Sequence, residues 1–144
     1  MEPTQTYANH VRWYPLVHFV LMPFLLFNLV WQVVRMVQEP SWDRGESILL
    51  ALAFMLIAFT ARIQSMKAQD RIIRLEEQLR YKGILDPDLA ARASGLSMGQ
   101  LIALRFAHDD ELSDLVNRTL NGEFGKTREI KLAIKNWRGD HLRV

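Results

Sequence analysis

The residues of this sequence best suited to acid–base chemistry are His108 and the two aspartates that follow it, Asp109 and Asp110. An imidazole held by a carboxylate can act as a general base, so the cluster is a candidate for proton transfer. With Glu111 it also has the composition of a solvated helix start, because carboxylates favour the positive end of a helix dipole. No serine has an evident base, and the sequence has no HExxH, GxSxG, Walker A or GxGxxG motif. We therefore expect a protein that is not an enzyme.

Candidates for metal, cofactor and nucleic-acid binding are also missing from the sequence. The four histidines are far apart along the chain, and the absence of cysteine excludes thiolate metal sites, disulfides and cysteine nucleophiles. Residues 62–144 carry a net charge of only +3 and no recognition motif or aromatic stacking platform. We expect no metal, no cofactor and no nucleic acid.

A second group of polar side chains lies within an apolar segment. Asn28, Gln32 and Arg35 are spaced four and three residues apart, which places them on one face of a helix, while His18 lies nearer its start. Intramembrane polar groups are costly and are functional candidates by default. They either fix a helix pair through hydrogen bonds or line a wetted path. For His18 we expect a bond to a neighbouring backbone group or an interfacial water.

His18, Asn28 and Gln32 belong to the first of two segments that contain no Asp, Glu, Lys or Arg, at 14–34 and 47–61, and Arg35 directly follows the first. The first is long enough to cross ~30 Å of hydrocarbon, and the second needs its flanking residues to do so. A buried soluble helix or a cleaved signal peptide would be the alternatives, but the two apolar runs lie close together and no cleavage site follows the first. Glu39-Pro40-Ser41 stops one helix, and Ser41 or Asp43 then caps the next.

Basic residues orient the predicted hairpin. The connecting segment 36–46 has a net charge of −2, whereas four basic residues follow the second apolar run. These are Arg62, Lys67, Arg71 and Arg74. The positive-inside rule then places both termini in the cytoplasm. His10 and Arg12 agree with this orientation, and Arg35 opposes it.

One long helix is predicted over 47–82, since neither Pro nor Gly interrupts residues 48–80. A heptad pattern runs along it, which we call the packing seam: Ala51, Phe54, Ala58, Ala61, Ser65, Ala68, Ile72, Leu75 and Leu79. Small residues allow close helix contact in lipid, and Ile and Leu burial drives association in water. The partner is either another copy of the chain or a foreign subunit, or else the first span or the chain's own terminal domain.

Residues 83–144 are predicted to form a small helical domain once Gly83 has ended the long helix. Asp86-Pro87 and the pair Ser97 and Gln100 are helix-start signals. The predicted helices are 87–94, 98–107, 111–121 and 128–138. A domain this small is expected to dock on the long helix or on another chain. The basic last helix favours anionic lipid or an acidic partner.

Four motifs resemble a known family. They are His10-x-Arg12-Trp13-x-Pro15-Leu16-x-His18-Phe19, Gln69-Asp70-Arg71 through Arg74-Leu75-Glu76-Glu77, Leu104-Arg105-Phe106-Ala107, and Ile134-Lys135-Asn136-Trp137-Arg138. Together they are similar to short bacterial inner-membrane proteins catalogued only as a domain of unknown function. The resemblance implies a two-span protein with a cytoplasmic tail and no known activity. The candidates for contact with a partner or lipid are Arg71, Arg74, Arg105, Trp137 and Arg138.

The sequence thus predicts an all-α membrane protein, a two-helix transmembrane hairpin whose second helix extends into the cytoplasm and is followed by a bundle of short helices. The predicted order is a cytoplasmic segment at 1–14, a transmembrane helix at 15–37, an external loop at 38–46, the long second helix at 47–82 and a cytoplasmic domain at 83–144. Its expected role, in a bacterial inner membrane, is a homo-oligomeric scaffold or small accessory subunit. A small oligomeric two-span ion channel is the alternative.

Overall fold

The computed structural model describes residues 6–7 and 13–140. Within these ranges the structure is helical, apart from one isolated antiparallel pairing of Ala107 with Trp137. A π-helical segment, Leu16–Leu21, precedes the first α-helix. The α-helices are α1 (Met22–Gln38), α2 (Trp42–Ile84), α3 (Pro87–Ala93), α4 (Met98–Leu104), α5 (Asp109–Leu120) and α6 (Thr127–Ala133). The all-α prediction is therefore confirmed. His10 and Arg12 lie outside the described residues.

The chain divides into two compact units, and the first of these, residues 12–66, is the hairpin unit. It contains the π-helical segment, α1 and the first part of α2. Pro15 precedes the π-helical segment and Pro23 follows it, in the first turn of α1. Because proline has no backbone N–H, Pro23 cannot make the regular helical hydrogen bond, and the altered winding just before it accommodates this loss.

The turn of the hairpin is shorter than predicted. Glu39 leaves the helical conformation (φ −144°, ψ 87°) just before Pro40, and α2 begins at Trp42, so residues 42–46 are helical rather than part of a loop. The backbone N–H of Arg44 lies 3.4 Å from the Ser41 hydroxyl oxygen, which makes Ser41 the cap. The Arg44 guanidinium donates to the Arg35 carbonyl oxygen at 2.7 Å and also bonds the Glu39 carboxylate. This side chain ties the two helix ends together.

At its other end α2 runs past the predicted stop. Gly83 is helical and Ile84 is the last helical residue, so the prediction that Gly83 ends the helix is wrong. The helix ends instead just before Asp86, which has an extended conformation (φ −55°, ψ 145°) because the residue before a proline is disfavoured in the α region. A glycine in the right-handed region does not by itself terminate a helix.

The second unit, which we call the tail unit, combines α2 from Lys67 onward with α3 to α6. Its core contains buried side chains from α2, from all four short helices and from the segments that connect them. The largest fully buried ones are Tyr81, Leu104, Phe106, Leu112, Leu115, Val116 and Ile130. The expectation that the short helices dock on the long helix agrees with this arrangement.

Two of the predicted short helices are shorter than expected. Helix α4 ends at Leu104 rather than Ala107, and α6 ends at Ala133 rather than Arg138. Residues 134–138 instead run beside residues 106–108, where Arg138 N donates to Phe106 O at 2.7 Å and His108 N donates to Asn136 O at 3.0 Å. These backbone bonds compete with helical continuation, so Trp137 and Arg138 lie on an extended segment.

Candidate functional site

The tail unit contains a cleft of ≈ 480 Å³ beside α2. Three structural parts form it: one face of α2, the residue after α4, and the extended segment that follows α6. Its lining residues are Ile73, Glu76, Glu77, Leu79, Arg80, Arg105, Arg138, Gly139 and Asp140. Three guanidinium groups and three carboxylates therefore share one cavity.

Glu77 is the most deeply placed of these carboxylates, with 4% of the residue exposed. Its carboxylate lies 3.3 Å from Nη1 of Arg80 and 3.9 Å from Nη1 of Arg138. Burial raises the pKa of Glu77 above its ordinary value, and Arg80, Arg138 and Arg105 partly offset that shift. The Glu77 carboxylate thus lies among arginines in a buried environment, where desolvation disfavours its charged form.

Arg80 connects α2 to the start of α5. Its guanidinium donates from Nε to the Asp109 carboxylate at 2.8 Å and from Nη2 to the Ala107 carbonyl oxygen at 2.6 Å. The hydrogen bond from Arg80 holds the pKa of Asp109 below its ordinary value. Arg80 thereby fixes the α4–α5 connection against the long helix with charge-assisted hydrogen bonds.

Arg105, the residue after α4, contacts the extended segment that follows α6. Nη2 of Arg105 lies 3.3 Å from an Asp140 carboxylate oxygen, and its guanidinium stacks 4.7 Å from the centre of the Phe106 ring. The Phe106 ring in turn packs against Trp137, with ring centres 5.0 Å apart. Arg105 and Trp137, both singled out from the sequence, are therefore part of the packing of the tail unit.

Together these ion pairs connect separate segments of the tail unit. Each guanidinium faces at least one carboxylate, and the cleft combines three positive and three negative side chains. Among residues 6–7 and 13–140, no three His, Cys, Asp or Glu side chains lie close enough to hold a metal ion. The arrangement holds the extended segment after α6 and the α4–α5 connection against α2.

The structure separates the five predicted contact residues into two groups. Arg105, Trp137 and Arg138 come together around the Ala107–Trp137 pairing, whereas Arg71 and Arg74 are exposed on α2. Sequence reasoning missed Glu77 and Arg80 as a buried ion pair. Their spacing of three residues was the available signal, but that spacing is equally common on exposed helix surfaces.

The C-terminal end of the packing seam faces away from the core of the tail unit. Ile72, Leu75 and Leu79, which we call the aliphatic stripe, are 55%, 61% and 70% exposed. On the other face of the same helix, the exposed fractions of Ile73, Glu77 and Tyr81 are 5%, 4% and 2%. The short helices thus cover one face of α2 and leave the aliphatic stripe uncovered.

Within the hairpin unit only part of the packing seam is covered. Ala51 is buried and Ala58 half-buried, whereas Phe54, Ala61 and Ser65 are exposed, and so is Ala68 in the tail unit. Between residues 48 and 66, the half-buried positions of α2 recur at three- and four-residue steps: Ile48, Met55, Ala58 and Arg62, with buried Ala51 among them. This is the pattern of a helix packed along one face, rotated from the predicted seam.

The intramembrane polar candidates have different surroundings. Nδ1 of His18 lies 3.0 Å from the Tyr14 carbonyl oxygen, which is the local backbone bond expected for it. Asn28 and Gln32 are half-buried, and Arg35 is exposed. The three do not form a single exposed stripe.

The candidate acid–base cluster is an exposed helix start. Nδ1 of His108 lies 3.0 Å from the Asp110 carboxylate, and these side chains are 52% and 82% exposed. Asp109 is engaged by Arg80, and Glu111 accepts the backbone N–H groups of Lys135 and Asn136 at 3.1 and 3.0 Å. The acidic residues here support the fold around the extended segment.

Comparison with known proteins gives a family and no activity. No curated protein and no solved structure matches the chain. The chain belongs to DUF6526, a family of unknown function whose profile matches residues 1–144.

Proposed function

We propose that this protein is a non-enzymatic interaction protein of the bacterial inner membrane, either a homo-oligomeric scaffold or a small accessory subunit of a membrane complex. It assembles through its long second helix and docks partners with its cytoplasmic helices. The observation that carries the proposal is the aliphatic stripe, which the chain's own short helices leave exposed on α2.

Membrane insertion is supported by two helices that are long and apolar enough to cross a bilayer, Leu16–Gln38 and Trp42–Ile84. No residue of the first is buried. Its large side chains, such as Phe24, Phe27 and Val30, are more than half exposed. A soluble protein rarely exposes apolar surface on this scale, because each Å² left in water costs about 25 cal/mol. Lipid is the solvent that removes this cost.

An interaction role is supported by the distribution of charge and apolar surface on α2. In water, exposed Ile and Leu at heptad spacing gain free energy by packing against another helix. The ion pairs of Glu77 and Arg80 hold the α4–α5 connection and the extended segment on another face of α2, and Leu79, which borders the cleft, stays 70% exposed. Anionic lipid is a further candidate partner for the exposed Arg71 and Arg74.

The orientation can be tested with single cysteines, because the chain has none of its own. Glu46→Cys is placed near the start of α2 and Asp88→Cys in α3, both at exposed positions. With both termini in the cytoplasm, a membrane-impermeant maleimide added to intact cells labels Glu46→Cys and reaches Asp88→Cys only after the membrane is opened. Equal labelling of both in intact cells, or recovery of the protein in the soluble fraction, would contradict the proposal.

A further inference from the structure

The aliphatic stripe has the composition of one particular helix pair. Assigning Ile72 and Leu79 to heptad position a places Leu75 at position d. A β-branched residue at a with leucine at d favours parallel two-stranded coiled coils, and Ile72 with Leu75 has this composition, whereas Leu79 at the next a position is not β-branched. The exposed fractions of the three side chains, 55% to 70%, leave the surface open to a partner helix.

The charges beside the aliphatic stripe complement each other between two copies of the chain. In the same heptad frame Arg71 occupies position g and Glu76 position e. In a parallel pair, the g residue of one helix faces the e residue of the following heptad in its partner. Arg71 of one copy therefore faces Glu76 of the other, and the same ion pair repeats on the opposite side of the interface.

Both charged side chains are available for this pairing. Arg71 and Glu76 are exposed, and neither has an ion-pair partner among residues 13–140. Arg80, Arg138 and Asp140, which share the cleft with Glu76, are already engaged with Asp109, Glu77 and Arg105 respectively.

The fold leaves space for a second helix. Successive residues turn about 100° around a helix, so the centre of the aliphatic stripe lies roughly opposite the line of Ile73, Glu77 and Tyr81. The short helices cover that second line. A partner helix on the aliphatic stripe meets exposed side chains of α2 rather than the core of the tail unit.

We propose that the partner on the aliphatic stripe is a second copy of this chain, packed as a parallel coiled coil in which Ile72, Leu75 and Leu79 meet their counterparts and Arg71 pairs with Glu76 of the other copy. This inference rests on the proposed membrane anchoring, since two copies inserted with the same orientation present their second helices in parallel. Confinement to one membrane also raises their effective concentration and favours a short coiled coil.

Disulfide crosslinking of the full chain in its membrane tests the contact. Residues at d lie close to their counterparts in a parallel pair, so mild oxidation of Leu75→Cys yields a covalent dimer at twice the 16.8 kDa of the chain. Arg74→Cys is the matched control, an exposed neighbour that lies about 100° away around α2. The dimer band is expected from Leu75→Cys and is expected to be lost in Arg74→Cys.

Charge reversal then tests the register in the Leu75→Cys background. Arg71→Glu places like charges at both e–g contacts and lowers the dimer yield, and Glu76→Arg does the same. The two changes in one chain restore opposite charges and the yield. When the two single variants are expressed together, the mixed dimer is favoured over either homodimer.

Three results would overturn the inference. These are no self-crosslink from Leu75→Cys, a dimer yield insensitive to the charge reversals, and a crosslink to a protein of different mass. The last of them would leave the proposed accessory-subunit role intact, because membrane insertion and orientation are read separately by the maleimide labelling. Helical content measured by circular dichroism confirms that each variant is folded.

Discussion

Glu76 and Glu77 are neighbours with the same chemistry and different surroundings. Glu76 is exposed beside the aliphatic stripe, whereas Glu77 is buried among Arg80 and Arg138. One step of about 100° around α2 separates the two positions. The residue type therefore does not determine the role, and the local sequence Glu76-Glu77 does not indicate which carboxylate is buried. The short helices decide this, through contacts distant in sequence.

At the residue scale, the buried carboxylate predicts a pH dependence. The pKa of Glu77 is raised above 4.5 in the folded protein, so the folded state binds this proton more tightly than the unfolded state does. At low pH, protonation of Glu77 therefore stabilises the folded state. That contribution is lost as pH rises from about 4.5 through the raised pKa. We expect Glu77→Gln to flatten the decline in melting temperature over this range, because the amide keeps a hydrogen-bonding oxygen but does not titrate.

Asp88→Asn, which removes a carboxylate at an exposed position of α3, is measured alongside as the control. Asp109 does not affect the slope in this pH range, because its pKa is lowered from 3.8. Its contribution to the stability of the folded state is lost only as pH falls through that lowered pKa. An unchanged slope in Glu77→Gln would show that Glu77 does not titrate differently on folding.

At the element scale, helix starts are encoded locally and the helix ends described here are less so. Helices α3 and α4 begin at the predicted residues, Pro87 and Met98. In α4 the Ser97 hydroxyl and the Gln100 side chain cap each other's backbone as the spacing indicates. The predicted ends of α4 and α6 are wrong because segments 106–108 and 136–138 bond to each other. Such long-range pairing has no signature in either segment alone.

Two helical glycines predict opposite responses to alanine. A Cβ on Gly99 in α4 would lie 2.9 Å from Cγ2 of Thr127 in α6, so Gly99→Ala requires the Thr127 side chain or one of the two helices to shift and destabilises the tail unit. A Cβ on Gly83 in α2 meets nothing within 4 Å, so Gly83→Ala gains helix propensity and stabilises by up to about 1 kcal/mol. Thermal unfolding followed by circular dichroism compares them. A stabilised Gly99→Ala variant would contradict the close approach of α4 and α6.

The candidate site was predicted only in part, because some of its contacts also join segments that are distant in the sequence. Arg105, Trp137 and Arg138 stand out in the sequence as polar or aromatic residues, and the structure brings them together. Arg80 was missed because an arginine on a charged helix has no distinguishing local pattern. Its bonds to Ala107 and Asp109 depend on how the α4–α5 connection packs against α2.

At the scale of the whole molecule, two units on one chain differ in how much apolar surface they bury. The hairpin unit exposes apolar side chains such as Phe24, Phe27 and Leu56, while the tail unit buries a conventional core around Phe106 and Leu112. The two long apolar helices contain the charge-free segments of the sequence, which is why these helices could be predicted. The partner could not, because a heptad pattern is the same for a second copy and for a foreign helix.

The most direct test of the proposed role is the native mass of the full chain, released from its own membranes in mild detergent, with identification of every component. We predict recovery from the membrane fraction in a particle larger than the 16.8 kDa chain. A multiple of that mass indicates a homo-oligomer, and a particle that contains other proteins indicates an accessory subunit. A 16.8 kDa monomer, or a protein found in the soluble fraction, would contradict the account.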